Sequence, residues 1–470
     1  MPSASFLSPL FLILHPFHHR ILLLPKAMKR RTFIKTTAAG TAAVALSGWT
    51  MGASSYRRIL GANDRVRVAM IGCYRRFGPL VDALAFAGNV DITYVCDVDQ
   101  RRQNDAVGKV SKSLGKAPKA EKDMRKIVEQ PDVDALFHAT PDHWHAPGAI
   151  LSLQAGKHAV VEKPCGHNLR EDTLLIAWQK KTGLLVQMGA QQRSALESQE
   201  IIGEIHKGAI GEAYLATAFY VNNRGRVPNA NKIPAPEWLD WDLFQGPAPR
   251  TDFIDIASDY NWHWFWNWGT GETGNNATHE LDIARWALQV QYPEAVQVNS
   301  GKFHFKDDPW VMYDTMDATF TFPGGKTIKW DGKSRSGHPT YGPGRGTIIY
   351  GSEGSVYVDR GGYKLYNRDG KQIRERKGGD EAGTALGGGG GLTELHVINF
   401  LDAIRGKTAL TCPISIGGIS NHMVHYANVS SRENDALLEI DPATGQFRNK
   451  KIMKQYWGRE YEKGWEIQEP

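Results

Sequence analysis

"RVRVAMIGCYRRFG", residues 65–78, sets the fold class. Val66, Val68 and Met70 alternate and Ile71 extends the apolar run, which predicts a buried strand ending at Gly72. An apolar helical stretch follows from Leu80 to Phe86. Three more strand-like runs lie downstream: "DITYVCDVD" from Asp91, "DVDALFHATPDHWH" from Asp132 and "KHAVVEKP" from Lys157, with helical sequence between them. Strands alternating with helices in short units predict a parallel sheet covered on both faces.

The turn after the first strand is where such a sheet binds a dinucleotide. A G-x-G-x-x-G loop would need glycine at 72, 74 and 77, but this chain has Gly72, Tyr74 and Phe77, with Gly78 one place late. The second glycine normally lets the backbone approach the pyrophosphate. Here either Tyr74 turns away or the phosphate sits differently, held by Arg75 or Arg76. Asp97, at the end of the second strand run, stands about where the acid of this fold grips the adenosine ribose. Such an acid favours NAD over NADP, because a carboxylate binds the 2′-hydroxyl and repels a 2′-phosphate; Arg101 and Arg102 would soften that preference. The alternative for Asp97 is a strand-end helix cap.

The chain has 470 residues, 41% hydrophobic and 23% charged, with 14 Trp and 49 Gly, enough for two or three globular domains. Its formal charge of +6 is not spread over the fold. Residues 1–55 carry Arg20, Lys26, Lys29, Arg30, Arg31 and Lys35 and no acid, so the remainder balances. A balanced domain region lacks the electrostatic footprint of a nucleic-acid binder, and that class is excluded. Cys73, Cys96, Cys165 and Cys412 lie far apart without a C-x-x-C, which gives neither a zinc pattern nor a disulfide framework. They read as small buried hydrophobes.

Residues 6–24 are apolar but interrupted by Pro9, His15, Pro16, His18, His19 and Arg20, which argues against a membrane span and for translation starting at Met28. From there Arg30-Arg31-Thr32-Phe33-Ile34-Lys35 and the Ala-rich run to Leu46 resemble a twin-arginine export signal. A basic disordered tail is the alternative. The expectation is a 1–55 extension read by the twin-arginine translocase and a periplasmic location. Because that route carries folded proteins, a cofactor loaded in the cytoplasm would travel with the chain.

Four further motifs recur in a fixed order: "ATPDHWHA" at 139–146, "GKHAVVEKP" at 156–164, "GAQQR" at 189–193 and "GNNATHELDIARWAL" at 274–288. With them the chain, from about Val66 to Arg432, resembles the Gfo/Idh/MocA oxidoreductases. The resemblance implies an α/β protein with an N-terminal Rossmann parallel sheet. A C-terminal α/β domain would carry a large open mixed, mostly antiparallel sheet that often makes a homo-oligomer contact. It also implies a nicotinamide cofactor and a sugar or polyol substrate. The expected organisation is a nucleotide domain over 64–165, a substrate domain over 166–380, a Gly-rich linker over 381–392, and 393–470 returning to the nucleotide domain.

Carried over by position, Lys163 would be the active-site acid/base, its amine made less basic in a partly dry pocket beside a cationic nicotinamide. Glu162 would hold the lysine, and Pro164 would be cis. His279 would be the second catalytic residue, with Asn275 where the family often has aspartate, and Asp282 as a structural partner on the same helical face. The cofactor set implied is Gly72, Tyr74, Arg75, Arg76, Asp97, Thr140, Pro141, His145, Glu162 and Lys163.

"YNWHWFWNWG", residues 260–269, would point Trp262, Trp264, Trp266 and Trp268 one way if extended, and His263, Phe265 and Asn267 the other. Flat rings suit the C–H faces of sugars, and packing in the second domain is an equal competitor. Substrate contacts are expected from His263, Trp264, Asn275, His279 and Arg193. After residue 290, "AVQVNSGKFHF", "MDATFTF" and "GTIIYGSEGSVYVD" read as antiparallel strands, and Leu395, Ile398, Leu401 and Ile404 repeat at helical spacing.

The reading that follows is an exported NAD(P)-dependent carbohydrate oxidoreductase. Its nicotinamide cofactor would not dissociate between turnovers, because free cofactor is scarce outside the cytoplasm. A redox-neutral glycosidase or lyase that oxidises its substrate transiently is the second reading. A non-catalytic sugar-binding protein on a decayed fold is the third.

Overall fold

β1 (Val66–Ile71) is apolar at nearly every position because both its faces are covered, as a central parallel strand requires. It lies between β2 (Val90–Cys96) and β4 (Ala135–His138). With β3 (Lys119–Glu121), β5 (His158–Val161) and β6 (Val186–Met188) these form a six-stranded parallel sheet in the order β3-β2-β1-β4-β5-β6. The computed structural model describes residues 64–257, 259–378 and 391–470. The 1–55 extension with its twin-arginine stretch, and nearly all of the 381–392 linker, lie outside the described residues.

Helices α1 (Phe77–Ala87), α2 (Gln100–Leu114), α3 (Met124–Val128), α4 (Asp142–Gln154) and α5 (Leu169–Thr182) connect these strands. The strand order reverses between β1 and β4, and the crevice beyond the strand ends at such a point is where this architecture binds ligands. α6 (Leu196–His206) leads to β7 (Ala213–Val221), and α7 (Trp241–Gln245) and α8 (Thr278–Leu288) follow.

The second sheet is completed by β8 (Ala295–Gly301), β9 (Thr315–Thr321), β10 (Thr327–Lys333), β11 (Arg345–Gly351), β12 (Gly354–Asp359), β13 (Gly362–Asn367) and β14 (Gln372–Lys377). After α9 (Gly391–Ile404) and α10 (Ile414–Arg432), β15 (Leu438–Glu439) joins its far edge, and α11 (Lys450–Tyr456) precedes the tail. The order is β14-β13-β12-β11-β7-β10-β9-β8-β15, antiparallel except for β7 beside β10. The expected fold class is therefore what the chain adopts.

Several local expectations differ from the structure. The third strand run stops at His138, and Asp142–His145 already form the first turn of α4. Pro141, at φ −59°, has no N–H for a ladder and starts the helix instead. The parallel sheet runs on past the boundary expected at 165, because β6 pairs with β5. α9 exists, but it buries Val397, Phe400 and Leu401 against the first sheet while Leu395 stays 37% exposed. Its buried stripe thus keeps Leu401 and Ile404 of the residues whose spacing revealed it and leaves Leu395 out.

The tryptophan-rich stretch is not extended. His263 donates its N–H and Nδ1–H to Tyr260 O, and Phe265 and Trp268 close further turns, so local hydrogen bonds replace any ladder. Its rings then part company. Trp264 stacks on Trp310 with centroids 3.8 Å apart, and Trp268 packs edge-on against Trp241 and Phe244.

Candidate active site

A cavity of about 670 Å³ opens along the ends of β1, β2 and β4 and continues onto the second sheet. Gly72, at φ +88°, begins its wall. A Cβ at Gly72 would stand 2.6 Å from Ala139 O, so the β1 and β4 loops meet as only glycine allows. The loop then enters α1 with no side-chain cap and no acid in the first turn, leaving the helix N-terminus favourable to an anion. The Tyr74 ring lies under the Arg102 guanidinium at 3.9 Å and lines the same cavity. Arg75 lies over the Tyr260 ring at 4.4 Å.

Asp97 accepts the N–H of Cys73 at 2.7 Å and of Asp99 at 2.9 Å, and burial pushes its carboxyl up despite those bonds. The helix-cap role considered for it falls to Asp99, which receives the Arg101 and Arg102 N–H groups at the start of α2. Asp97 is thus left at the cavity wall with a second lone pair on each oxygen. Thr140 Oγ1 and His145 Nε2 have no partner among the described residues, and both residues line the cavity beside Pro141. His145 Nδ1 donates to Pro164 O at 2.6 Å, which leaves Nε2 as the ring nitrogen open to a ligand. A glycine cradle, an uncapped helix, a ribose-side acid and orphaned polar atoms together fit a dinucleotide.

The Lys163–Pro164 peptide is cis. Lys163 Nζ donates to Asn275 O at 2.7 Å and sits 3.4 Å from Asn275 Oδ1. Burial lowers its pKa, against the pull of Asp142 and Glu162, with Arg360 pressing in the same direction as burial. Glu162 does not hold the lysine side chain, as the resemblance implied. It receives Arg76 Nε at 2.6 Å and Gln191 at 3.2 Å, and Arg76 reaches on to Thr393 of α9. That pairing also takes Arg76 away from a purely phosphate-binding role.

Asn275 presents its carbonyl because residues Thr273–Ala277 form a π-helical turn before α8, a widening often found at functional sites. Glu272 organises that turn. It accepts Arg224 Nε at 2.6 Å and bonds Asn276; burial opposes its charge, but Arg224 holds it below the usual carboxylate range. Asn275 Nδ2 donates to the Tyr260 hydroxyl at 2.9 Å. One turn later, at the head of α8, His279 is buried, and burial followed by the charges of Arg360 and Lys163 drives its pKa well below the ordinary imidazole value. Asp282 is not its partner. It receives Arg193 at 2.6 and 2.9 Å and Ser420 at 2.6 Å.

The cavity therefore gathers Gly72, Tyr74, Arg75, Arg76, Asp97, Thr140, Pro141, His145, Glu162, Lys163, His263, Asn275 and His279. It leaves out two expected substrate contacts. Arg193 is locked in the buried Asp282 pair, and Trp264 is 2% exposed against Trp310. The sequence reading missed Tyr260, Arg360 and the Arg224–Glu272 pair. Tyr260 and Glu272 stand at the edges of quoted motifs, whereas Arg360 is a lone residue in a hairpin turn with no sequence signal.

Residues 66–190 match the family described as "Oxidoreductase family, NAD-binding Rossmann fold", and residues 244–357 match "GFO/IDH/MocA C-terminal domain". A "Glycosyl hydrolase family 109 protein" of Saccharopolyspora erythraea is 27% identical over 253 residues, covering 48% of this chain and 55% of its own. An "Alpha-N-acetylgalactosaminidase" of Shewanella oneidensis is 26% identical over 210 residues, covering 41% and 46%. The chain thus spans about half the length of these relatives. Among solved structures, levoglucosan dehydrogenase in complex with NADH and levoglucosan shares the fold at a TM-score of 0.60 and 18% identity, over 80% of this chain and 99% of its own. With both halves of the architecture matched in order, the chain belongs to the Gfo/Idh/MocA family of NAD-binding oxidoreductases.

Proposed function

We propose that the protein is an exported, NAD-dependent oxidoreductase acting on a hydroxyl or ketone of a carbohydrate or polyol, with its cofactor retained between turnovers. The observation that carries this reading is the Lys163 amine, held at 2.7 Å on the Asn275 carbonyl beside His279, in a cavity continuous with the dinucleotide-fitting crevice. Gly72, Thr140, His145 and Asp97 would hold the dinucleotide, which when bound supplies a hydride acceptor or donor for the carbinol carbon.

The chain's own task is the hydroxyl proton. Lys163 Nζ, made less basic by burial, takes or returns it. His279, neutral over the ordinary range, orients the hydroxyl by accepting or donating a hydrogen bond. Tyr260 and Trp262, with His263 stacked on Trp262 at 3.6 Å, offer an aromatic wall for a sugar face. Export rests on the twin-arginine stretch Arg30–Lys35, and retention of the cofactor follows from export.

The names of the glycosyl hydrolase relatives favour a second reading, transient oxidation that ends in glycosidic cleavage. Product analysis separates the two. A panel of sugars and their methyl glycosides is incubated with NAD-loaded protein. A ketosugar with NADH formation supports the oxidoreductase, and a freed aglycone without net NADH supports the glycosidase. Neither product from any panel member, with cofactor bound, would favour the binding-protein alternative.

A further inference from the structure

Arg360 is the first residue of a two-residue hairpin turn between β12 and β13, and its side chain lines the cavity. Its neighbour Asp359 does not neutralise it. That carboxylate accepts the Tyr357 hydroxyl at 2.5 Å and the Gly361 N–H at 2.7 Å, which also fixes the turn. Among the described residues Arg360 has no hydrogen bond or ion pair. The other cations at this end differ. Arg345 donates twice to Glu280 Oε1, at 2.8 and 2.7 Å, and Arg76 is paired with Glu162.

Lys163 is the second cation here without an ion pair among the described residues: its partner is a carbonyl, and Asp142 and Glu162 act on it only from beyond 4.0 Å. Arg360 lines the same cavity as His279 and Lys163; it is the leading charged neighbour acting on His279 and also acts on Lys163. Burial, and after it the neighbouring Arg345, push Arg360 down to about 9, against the weaker pull of Glu280 and Glu162, neither of which is paired with it. A cationic nicotinamide would add to this excess. A neutral sugar would leave it unrelieved, and a planar guanidinium with open donors matches a carboxylate in fork geometry.

We propose that this end of the cavity takes the carboxylate of an acidic sugar, a uronate or aldonate, on Arg360; the proposal rests on the oxidoreductase reading of the same site. The anion completes the charge balance that the fold leaves open and sets the sugar ring between Lys163 and His279.

The test is calorimetric titration of the NAD-loaded full chain with matched pairs: D-glucuronate against D-glucose, D-galacturonate against D-galactose, and D-gluconate against D-glucitol. At least one acid is expected to bind roughly tenfold or more tightly than its neutral partner, the range of a charge-assisted hydrogen bond. Arg360→Gln abolishes that difference while NAD affinity and neutral-sugar affinity persist. Arg360→Lys, a point charge without the fork, restores part of it. The inference is overturned if no acid binds more tightly than its partner. It is equally overturned if Arg360→Gln weakens NAD itself, which would make the arginine a cofactor ligand. NADH formed from a neutral sugar without any preference for acids removes the inference alone, whereas failure of the wild-type chain to bind NAD removes the oxidoreductase reading beneath it.

Discussion

Lys163→Met removes the amine and keeps an unbranched, mostly apolar side chain of similar length. Two stability effects oppose each other. The Nζ bond to Asn275 O at 2.7 Å is lost, which costs about 1 kcal/mol. The burial that lowers the lysine's pKa is relieved, at about 1.4 kcal/mol per pH unit of depression. The sign is that of a group with a depressed folded pKa. The ammonium opposes folding at neutral pH, and this penalty fades as pH rises towards the unfolded lysine value. The net change in unfolding free energy is therefore small, within about 1–2 kcal/mol. Turnover behaves differently, because proton transfer by a positioned group contributes about 10²–10⁴-fold, or roughly 3–5 kcal/mol of barrier. Urea unfolding, NAD calorimetry and steady-state turnover on the panel sugar that reacts separate these quantities. Expected are a near-wild-type unfolding midpoint, retained NAD binding, and a turnover loss of at least about 10²-fold. In wild-type protein, oxidation should also rise with pH through a value below the ordinary lysine pKa, and the variant should lack that limb. A variant that binds NAD and turns over within a few-fold of wild type would refute the acid/base role.

Gly72→Ala places a Cβ 2.6 Å from Ala139 O at a φ of +88°, so it should cost about 2–5 kcal/mol of stability and weaken NAD binding; a loss under about 1 kcal/mol by urea unfolding would count against the cradle. Arg193→Met strands buried Asp282 and should cost about 3–5 kcal/mol. If it instead leaves stability intact and raises only KM, Arg193 is a substrate contact after all. Replacing Arg30 and Arg31 together by Lys should hold the protein in the cytoplasm, since the translocase reads paired guanidinium groups; unchanged export on fractionation would remove that assignment. Burial holds His138 and His143 down to about 3 and His396 and His422 to about 4, so each folds neutral. Their contribution is complete above about pH 6.5 and is lost as pH falls towards about 4 for His396 and His422 and about 3 for His138 and His143, at about 1.4 kcal/mol per pH unit for each histidine. Thermal midpoints should fall steadily from pH 7 to 4.5, and a flat profile would contradict the buried-neutral assignment.

The nucleotide half was legible in the sequence because its signals are local. The apolar run Val66–Ile71 needs no distant partner to be read as a buried strand, and the position of Asp97 follows from the length of one β-α-β unit. Lys163 and His279 were reachable only through ordered motifs, since their meeting depends on a π-turn that brings Asn275 O to the amine. Periodicity misled where tertiary partners overrode it. Alternating tryptophans would have shared one face of an extended segment, but Trp310 and Trp241, outside the stretch, draw its rings into separate clusters. Arg193 was expected at the substrate because Asp282, 89 residues away, is not visible as its partner from local spacing. Arg360 was invisible for the opposite reason: what distinguishes it is the absence of a partner among the described residues, and that is a property of the folded cavity alone.

The central claim is that this chain holds a nicotinamide dinucleotide in the crevice bounded by Gly72, Asp97 and Thr140. Mass spectrometry of the small molecules released on denaturing gently purified protein tests it most directly. The account predicts NAD or NADH at close to one per chain. Protein that releases no dinucleotide, and takes up neither NAD nor NADH when they are added, would contradict it.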